Sequence, residues 1–500
     1  MGAIDYVLLA LTHPIEFRSL IQFSLWYERK RDITAVREHA TSGWDRESMR
    51  ECWMFLDRTG RGYSAVIKEL EGDLARTVCL FYLALRGLDT VKDDMTIPDD
   101  KKQPILRSFH QKLTKPGWTF TECGPSEKDR DLLCRFDGVI SELGLLEKAS
   151  CDIIIDICVK MGRGMADFAH KAATAKSDEE LSVPTIEEYD LYCHYVAGLV
   201  GEGLSRLFVA TGKEQSWLAD QLVLSNSIGL LLQKVNIIRD VAEDARDGRY
   251  FWPREIWGRY GFQHVRELTS TAVSPSSAGD ANQRALWALS GMILDALRHV
   301  VDSLNYLTLL KNQSVFNFCA IPCVMALATL DACFMNPKVL NQNVKIRKGQ
   351  AVQLIMKSAN PRDVAYLCRD FVRSIHTKAA PADPNFMKIS ITCGRVEQWV
   401  EHHYPSIIHV TTPNLEPGTS RAQVSPTQTD ARVRILNREM KMHSLQKIKD
   451  MGLGKETQSF QQEMLPGELY AVVFGGFLVT TLVGCALVFA VLYFTSDWLT

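Results

Sequence analysis

The sequence has almost no net charge, because 57 Lys and Arg residues face 59 Asp and Glu residues, which leaves a formal charge of −2. Without a basic excess there is no global charge to neutralise nucleic-acid phosphates, so nucleic-acid binding is excluded as a general role. The 13 cysteines are dispersed and include no CxxC pair, which excludes a zinc or disulfide framework and is typical of reduced thiols in the cytosol. No GxGxxG fingerprint follows a strand, which argues against a Rossmann nucleotide site.

Strand-like alternation of polar and apolar residues is also rare, and no solenoid repeat is present. Helical spacing recurs instead in long stretches that are separated by Pro-, Gly- and Ser-rich breakers. This organisation predicts one large all-α domain. The strongest helical patterns cover residues 63–88, 145–169, 186–211, 218–241, 285–310 and 318–334.

Charge is missing from one long run, residues 469–494, and only Asp497 is charged beyond it. As a helix this run would span roughly 39 Å, against a hydrocarbon core of about 30 Å. The segment before it is basic, so the positive-inside rule places the rest of the chain in the cytosol. A buried core helix is the alternative. We predict a helical domain over 1–412, a flexible basic linker over 413–468, a transmembrane tail anchor over 469–494 and a short lumenal tail over 495–500.

Two acidic segments indicate the chemistry of the predicted domain. Asp89 and Asp93 end one apolar helical stretch, and Asp240 and Asp244 end another. Residues four apart share a helix face, where like charges repel unless a cation lies between them. Carboxylate oxygens suit Mg²⁺, which keeps waters and bridges to phosphates. Either pair alone also fits a solvated helix face, but two such faces, each beside an arginine, predict a clamp for a diphosphate.

Five longer stretches resemble the squalene synthases, which condense two farnesyl diphosphates head to head. They are FYLALRGLDTVKDDMTIP (81–98), YCHYVAGLVGEGLSRLF (192–208), QKVNIIRDVAEDARDGRYFWPREIW (233–257), NQSVFNFCAIPCVMALATL (312–330) and VKIRKGQAV (344–352). The resemblance implies the all-α isoprenoid synthase fold, with residues 1–412 as a single, monomeric catalytic domain around a central cavity. It also implies use of Mg²⁺ and NADPH, and residence on the endoplasmic reticulum membrane through a C-terminal helix in lipid.

The resemblance also implies roles for individual side chains. Tyr195 matches the family's catalytic tyrosine, and Phe316 and Phe318 match aromatic residues that can stabilise carbocations. Without the resemblance, these three side chains would be expected in the core. The positions implied for Mg²⁺ are Asp89, Asp93, Asp240, Asp244 and Glu243. The positions implied for the NADPH phosphates are Arg61, Arg86, Lys345 and Arg347.

Four features depart from the family's usual pattern, and one of them is the segment around Arg61, which reads GlyArgGlyTyr in place of the more usual SerArgSerPhe. Lys92 replaces an acid in the first acidic segment, Glu202 replaces an apolar residue between two glycines, and Cys323 replaces a glutamine. The expected function is Mg²⁺-dependent condensation to presqualene diphosphate, followed by NADPH reduction to squalene for sterol synthesis. Three alternatives remain: a duplicate that confers self-resistance to an inhibitor in a secondary-metabolite pathway, a phytoene-synthase-like condensation without hydride, and a membrane-tethered binding protein without catalysis.

Overall fold

The computed structural model describes residues 3–26, 31–60, 62–175, 183–271 and 278–406. Every regular element within those ranges is helical, which confirms the predicted all-α class. The α-helices before residue 200 are α1 (Ala3–Thr12), α2 (Pro14–Trp26), α3 (His39–Ser42), α4 (Glu47–Gly60), α5 (Gly62–Lys68), α6 (Leu74–Asp93), α7 (Asp99–Lys112), α8 (Arg130–Cys134), α9 (Phe136–Leu143), α10 (Lys148–Thr174), α11 (Ile186–Cys193) and α12 (Leu199–Ala210).

The second half of the described chain continues in the same way, with short 3₁₀ turns between longer helices. Its α-helices are α13 (Leu222–Arg239), α14 (Val241–Arg246), α15 (Arg254–Trp257), α16 (Val265–Thr271), α17 (Ala278–Leu297), α18 (Val300–Leu309), α19 (Gln313–Cys333), α20 (Lys348–Lys357), α21 (Pro361–Lys378) and α22 (Phe386–His403). The predicted linker, tail anchor and lumenal tail, residues 413–500, lie outside the described residues.

Four of the predicted helical stretches are interrupted, and one of them, 218–241, begins in a 3₁₀ turn (Ser216–Asp220) and is broken again at Asp240. Residues 63–88 split into α5 and α6 at a turn where Gly72 adopts a φ of +64°, a conformation that glycine tolerates without strain. Residues 186–211 contain a π-helical turn at His194–Gly198, and residues 285–310 divide between α17 and α18. Periodicity therefore located the helices, but it did not show where tertiary packing breaks them.

The central helix of the domain is α19. It is long and apolar enough to span a membrane, but 67% of its most apolar window is buried inside the protein. A helix that is apolar all round and packed on all sides is a core helix. It contacts α13 and α21, and through them it organises the interior.

Two glycines let α13 approach its neighbours closely. A Cβ atom on Gly201 of α12 would lie 2.1 Å from the carbonyl oxygen of Ser225, and one on Gly229 of α13 would lie 2.4 Å from the carbonyl oxygen of Ala197. Any larger side chain at either position would push the helices apart. Beyond this close crossing, α13 also packs against the π-helical turn and α11.

Candidate active site

An inner cavity of about 420 Å³ lies among α6, α11, α12, α13 and α19. Helical spacing explains how α6 builds its wall, since the lining residues recur at intervals of three and four along one face. They change from apolar to charged toward the C-terminal end of α6, in the order Val78, Phe81, Tyr82, Leu85, Arg86, Asp89, Lys92 and Asp93. Along α13 the lining residues also change from apolar to charged, from Ile228 to Asp240, which directly follows the helix. The cavity therefore has an apolar region and a charged end.

A second and larger cavity of about 2280 Å³ adjoins the first. The two share a wall, so a molecule in one lies close to a molecule in the other. The residues that line both cavities are Tyr63, Tyr82, Arg86, Leu232, Asn236, Phe318 and Pro322. This arrangement offers two neighbouring binding spaces, and Arg86 is the one charged residue in the wall that they share.

The first acidic pair lies in the last turn of α6. One Asp89 oxygen accepts a hydrogen bond from Arg86 at 3.1 Å, and the Lys92 ammonium lies 3.8 Å from the other. The same ammonium lies 2.9 Å from Asp93 Oδ1. Burial and the neighbouring Asp93 charge raise the pKa of Asp89. Burial also opposes ionisation of Asp93, but the Lys92 charge outweighs it and lowers the pKa of Asp93.

The second acidic pair lies where α13 gives way to α14. Arg239 donates two hydrogen bonds to Asp240, at 2.7 and 2.6 Å, and Asn343 donates a third. Asp244 accepts hydrogen bonds from Arg249 at 3.0 and 3.2 Å. Burial nevertheless raises the pKa of Asp244 to about 6, against the opposing charge of Arg249. All four predicted aspartates thus line one end of the inner cavity.

Tyr192, rather than the predicted Tyr195, lines the inner cavity. The Lys92 ammonium donates to the Tyr192 hydroxyl at 3.2 Å, and the Tyr192 ring stacks on Phe251 at 4.9 Å between centroids. The Tyr195 ring instead packs over Gly164 of α10, so closely that a Cβ atom there would lie 2.2 Å from it. Tyr192 is therefore a second candidate tyrosine beside the predicted Tyr195, whose ring is accommodated by a small residue on another helix.

Of the two predicted phenylalanines, only Phe318 lines the cavities. Its ring meets the ring of Phe208 edge to face, with 6.1 Å between centroids. Phe316 is buried and lines neither cavity. Residues two apart on a helix point in nearly opposite directions, so α-helical spacing already indicated that only one of them could face the site.

The predicted NADPH positions do not all come together. Arg86 and Lys345 line the larger cavity. Arg347 forms an ion pair with the buried Glu16 of α2, with 2.6 Å between Nη2 and Oε1, and does not line it. Arg61 lies outside the described residues. Arg239, which the prediction of this site omitted, lines the larger cavity and is a further candidate for phosphate binding.

Two of the unusual residues lie away from the cavities. Glu202 forms ion pairs with Lys160 at 2.6 Å and with Arg206 of the same helix at 3.1 Å, which explains how the largely apolar α12 accommodates its charge. Cys323 is fully buried in α19. The predicted metal ligand Glu243 is exposed and does not line either cavity, so it does not share the position of the four aspartates.

Within the described ranges no group of three or more His, Cys, Asp or Glu side chains could hold a metal ion unaided. The two aspartate pairs can each supply carboxylate oxygens, while Mg²⁺ usually takes its remaining ligands from water and substrate phosphates. The donor set therefore fits Mg²⁺ bridged by a diphosphate and does not fit an all-protein metal cage.

A helical domain with a cavity that is charged at one end and apolar elsewhere suits an isoprenoid synthase, and the comparisons with known proteins show that fold. The squalene/phytoene synthase family model matches residues 56–350, which is more than half of the chain. The chain therefore belongs to the squalene/phytoene synthase family, and its relatives place it among the fungal squalene synthases.

Three of those relatives define the similarity. The chain is 58% identical to a squalene synthase from Ganoderma lucidum, over 82% of this chain and 88% of that protein. It is 49% identical to one from Schizosaccharomyces pombe, over 78% and 81% of the two chains. A solved ligand complex of the squalene synthase TcSQS superposes with a TM-score of 0.66 at 37% identity, over 72% of this chain and 100% of that one. Nothing in these relatives supports an inhibitor-resistant duplicate.

Proposed function

We propose that the protein synthesises squalene, by joining two farnesyl diphosphates head to head into presqualene diphosphate and then reducing that intermediate with NADPH. The observation that carries the proposal is the inner cavity, whose charged end and apolar walls match a substrate with a diphosphate head and a hydrocarbon tail. The adjoining larger cavity provides room for the second farnesyl diphosphate and for the reductant.

The charged end would bind the diphosphate. Asp89, Asp93, Asp240 and Asp244 line the end of the cavity at which Mg²⁺ would bind, and the bound ion would supply positive charge that stabilises a departing diphosphate. Arg249 lines the same end of the cavity and reaches Asp244 at 3.0 Å. Its guanidinium can turn from the carboxylate to a phosphate oxygen without leaving the site.

Tyr192 is the catalytic tyrosine in this proposal. Burial raises its pKa to about 12, so its hydroxyl stays protonated near neutral pH. With its oxygen accepting from Lys92, the hydroxyl is free to donate its own hydrogen to the departing diphosphate. The ring lines the cavity beside the carboxylates, where an aromatic face also attracts a carbocation.

The apolar walls protect the intermediates. A carbocation exposed to water would be captured as an alcohol, so synthesis of a hydrocarbon requires a dry site. Phe208 and Phe318 line this part of the cavity, and the Phe318 side chain is only 8% exposed. The face of the Phe318 ring can therefore stabilise a nearby carbocation, and the side chain also excludes water. Phe316 instead packs in the core.

The reductant would bind along the larger cavity. Arg86, Arg239 and Lys345 line it and can bind the phosphates of NADPH, which when bound supplies the hydride. Arg347 can join them only if it leaves Glu16, and Arg61 remains a sequence-based candidate. We also propose that residues 469–494 anchor the enzyme in the endoplasmic reticulum membrane, where an apolar product can enter lipid directly.

The test is to incubate the full chain, in detergent, with labelled farnesyl diphosphate and Mg²⁺, with and without NADPH. We expect presqualene diphosphate without NADPH and squalene with it. A hydrocarbon end product that forms without NADPH would instead support a phytoene-synthase-like reaction. If no diphosphate is released under either condition, while an Asp240→Asn control behaves identically, the protein is a binding protein and the proposal is wrong.

A further inference from the structure

Lys92 occupies a position at the charged end of the cavity that the proposed reaction leaves unexplained. Its ammonium lies between the paired carboxylates of α6, at 2.9 Å from Asp93 and 3.8 Å from Asp89. The side chain is only 13% exposed, and it lines the inner cavity. A single cation thus bridges both members of the first acidic pair.

The surroundings of Lys92 hold this cation in place. The Tyr192 hydroxyl lies 3.2 Å from the ammonium, and the Tyr192 ring is fixed between Phe251 and Phe168, at 4.9 and 5.2 Å between ring centroids. An ammonium has three donors. Asp93 and Tyr192 take two of them at short range, and the third can reach into the cavity.

Among the described residues, no cation contacts both members of the second acidic pair. Arg239 contacts Asp240 but not Asp244, and Arg249 contacts Asp244 but not Asp240. Each arginine therefore neutralises one carboxylate from its own side, and neither arginine bridges Asp240 and Asp244. At the first pair, the Lys92 ammonium already lies between the two carboxylates.

We propose that Lys92 is a built-in cation of the diphosphate site, which replaces one divalent ion between Asp89 and Asp93 and binds a phosphate oxygen directly. This inference rests on the proposed function, because it assumes that a diphosphate binds at this end of the cavity. A divalent ion between the same two carboxylates would lie only a few ångströms from the Lys92 ammonium. Because both are positively charged they would repel each other, and the ion would bind poorly there. The second pair then becomes the principal metal site.

The experiment counts the ions that the full chain binds. Mn²⁺ is the spectroscopic probe, inorganic diphosphate is the ligand, and bound Mn²⁺ is measured by electron paramagnetic resonance at saturating diphosphate. We expect the unchanged protein to bind one Mn²⁺ fewer than Lys92→Glu. A second measurement follows diphosphate binding without metal, which Lys92→Gln should weaken at least tenfold through loss of a charge-assisted hydrogen bond.

Controls separate this inference from the proposed function. Lys160→Gln removes a lysine that also pairs with carboxylates but lies outside both cavities, and it should change neither measurement. If Lys92→Glu does not fold, Lys92→Gln still tests metal-free binding. Equal Mn²⁺ numbers in the unchanged protein and Lys92→Glu, or unaltered metal-free binding in Lys92→Gln, would overturn the inference. Neither readout needs turnover, so a failure to make squalene would contradict the proposed function alone.

Discussion

The two acidic pairs have the same spacing in sequence but different electrostatic surroundings. Asp89 and Asp93 lie in the last turn of an unbroken helix, and one lysine contacts both. Asp240 lies at the junction of α13 and α14, and separate arginines contact Asp240 and Asp244. A four-residue spacing therefore places carboxylates on one helix face, but the charges of the neighbouring side chains determine which ions those carboxylates can bind.

Helix electrostatics explain part of this difference. The C-terminal end of a helix carries a partial negative charge, which disfavours carboxylates in the last turn and favours a cation there. Asp93 is the last residue of α6, and Lys92 is the basic residue of that turn. In the protein without metal, Lys92 thus relieves both the repulsion between the carboxylates and their conflict with the helix dipole.

The largest expected effect distinguishes the two pairs by turnover. Asp240→Asn should lower the rate of presqualene diphosphate formation on the order of 10³-fold, because it removes a ligand from the principal metal site. Asp89→Asn should cause a smaller loss, on the order of 10-fold, because Lys92 remains to bind the diphosphate. The measurement is initial rate at saturating Mg²⁺ and substrate.

Asp247→Asn is the matched control for these variants. Asp247 also contacts Arg249, at 3.1 Å, but it lines neither cavity. Its replacement should leave the rate close to that of the unchanged protein. Equal losses for Asp240→Asn and Asp89→Asn would show that the two pairs hold metal in the same way, and the comparison between them would then fail.

A second prediction concerns the tyrosine beside the first pair. Tyr192→Phe should lower turnover on the order of 10²-fold, because it removes a hydrogen-bond donor at the departing diphosphate. Tyr195→Phe should change turnover little, since its ring packs on Gly164 and lines neither cavity. The measurements are the turnover rate of both variants and their circular dichroism, which checks that both are folded. A larger loss of turnover for Tyr195→Phe would show that Tyr195 is the catalytic tyrosine.

The sequence predicted those parts of the site that depend on local helix geometry. All four predicted aspartates line the same cavity, and for Asp89 and Asp93 this follows from their four-residue spacing on one helix. The split between Phe316 and Phe318 also follows from spacing alone. The exposed position of Glu243 could not be predicted from spacing, since it depends on how the short helix α14 lies against its neighbours.

What escaped prediction depends on contacts between residues far apart in sequence. Tyr192 and Tyr195 are three residues apart, so α-helical spacing alone would place them on similar faces. The π-helical turn that begins at His194, and the absence of a side chain at Gly164, separate them instead. Likewise, Lys92 was expected near Asp89, but its contact with Tyr192 links positions 100 residues apart.

The smallest expected effect concerns the stability of the metal-free protein. Asp244 has a pKa of about 6 in the folded chain, raised by burial, and its usual value is 3.8. The unfolded chain therefore releases this proton at lower pH than the folded chain does, and the protein loses stability as the pH rises from about 4 through about 6. Asp244→Asn carries no such titration. Relative to that variant, the unchanged protein should become less stable by about 2 kcal/mol across this range, which corresponds to roughly 2 °C in melting temperature for a domain of this size.

The measurement is the difference in melting temperature between the two proteins in EDTA at pH 4.5 and pH 7.5. Other groups titrate in both proteins, so the change in that difference reports Asp244 alone. The first acidic pair should behave in the opposite way. Because the pKa of Asp93 is lowered in the folded chain, its effect on the free energy of unfolding changes with pH in the opposite direction. Its carboxylate stabilises the fold above its unfolded pKa, and that contribution is lost as the pH falls through the folded value. Asp93→Asn should therefore be destabilising at pH 7.5, whereas Asp244→Asn is stabilising. If both variants shifted the melting temperature in the same direction, the lysine of the first pair would not set its charge as the structure indicates.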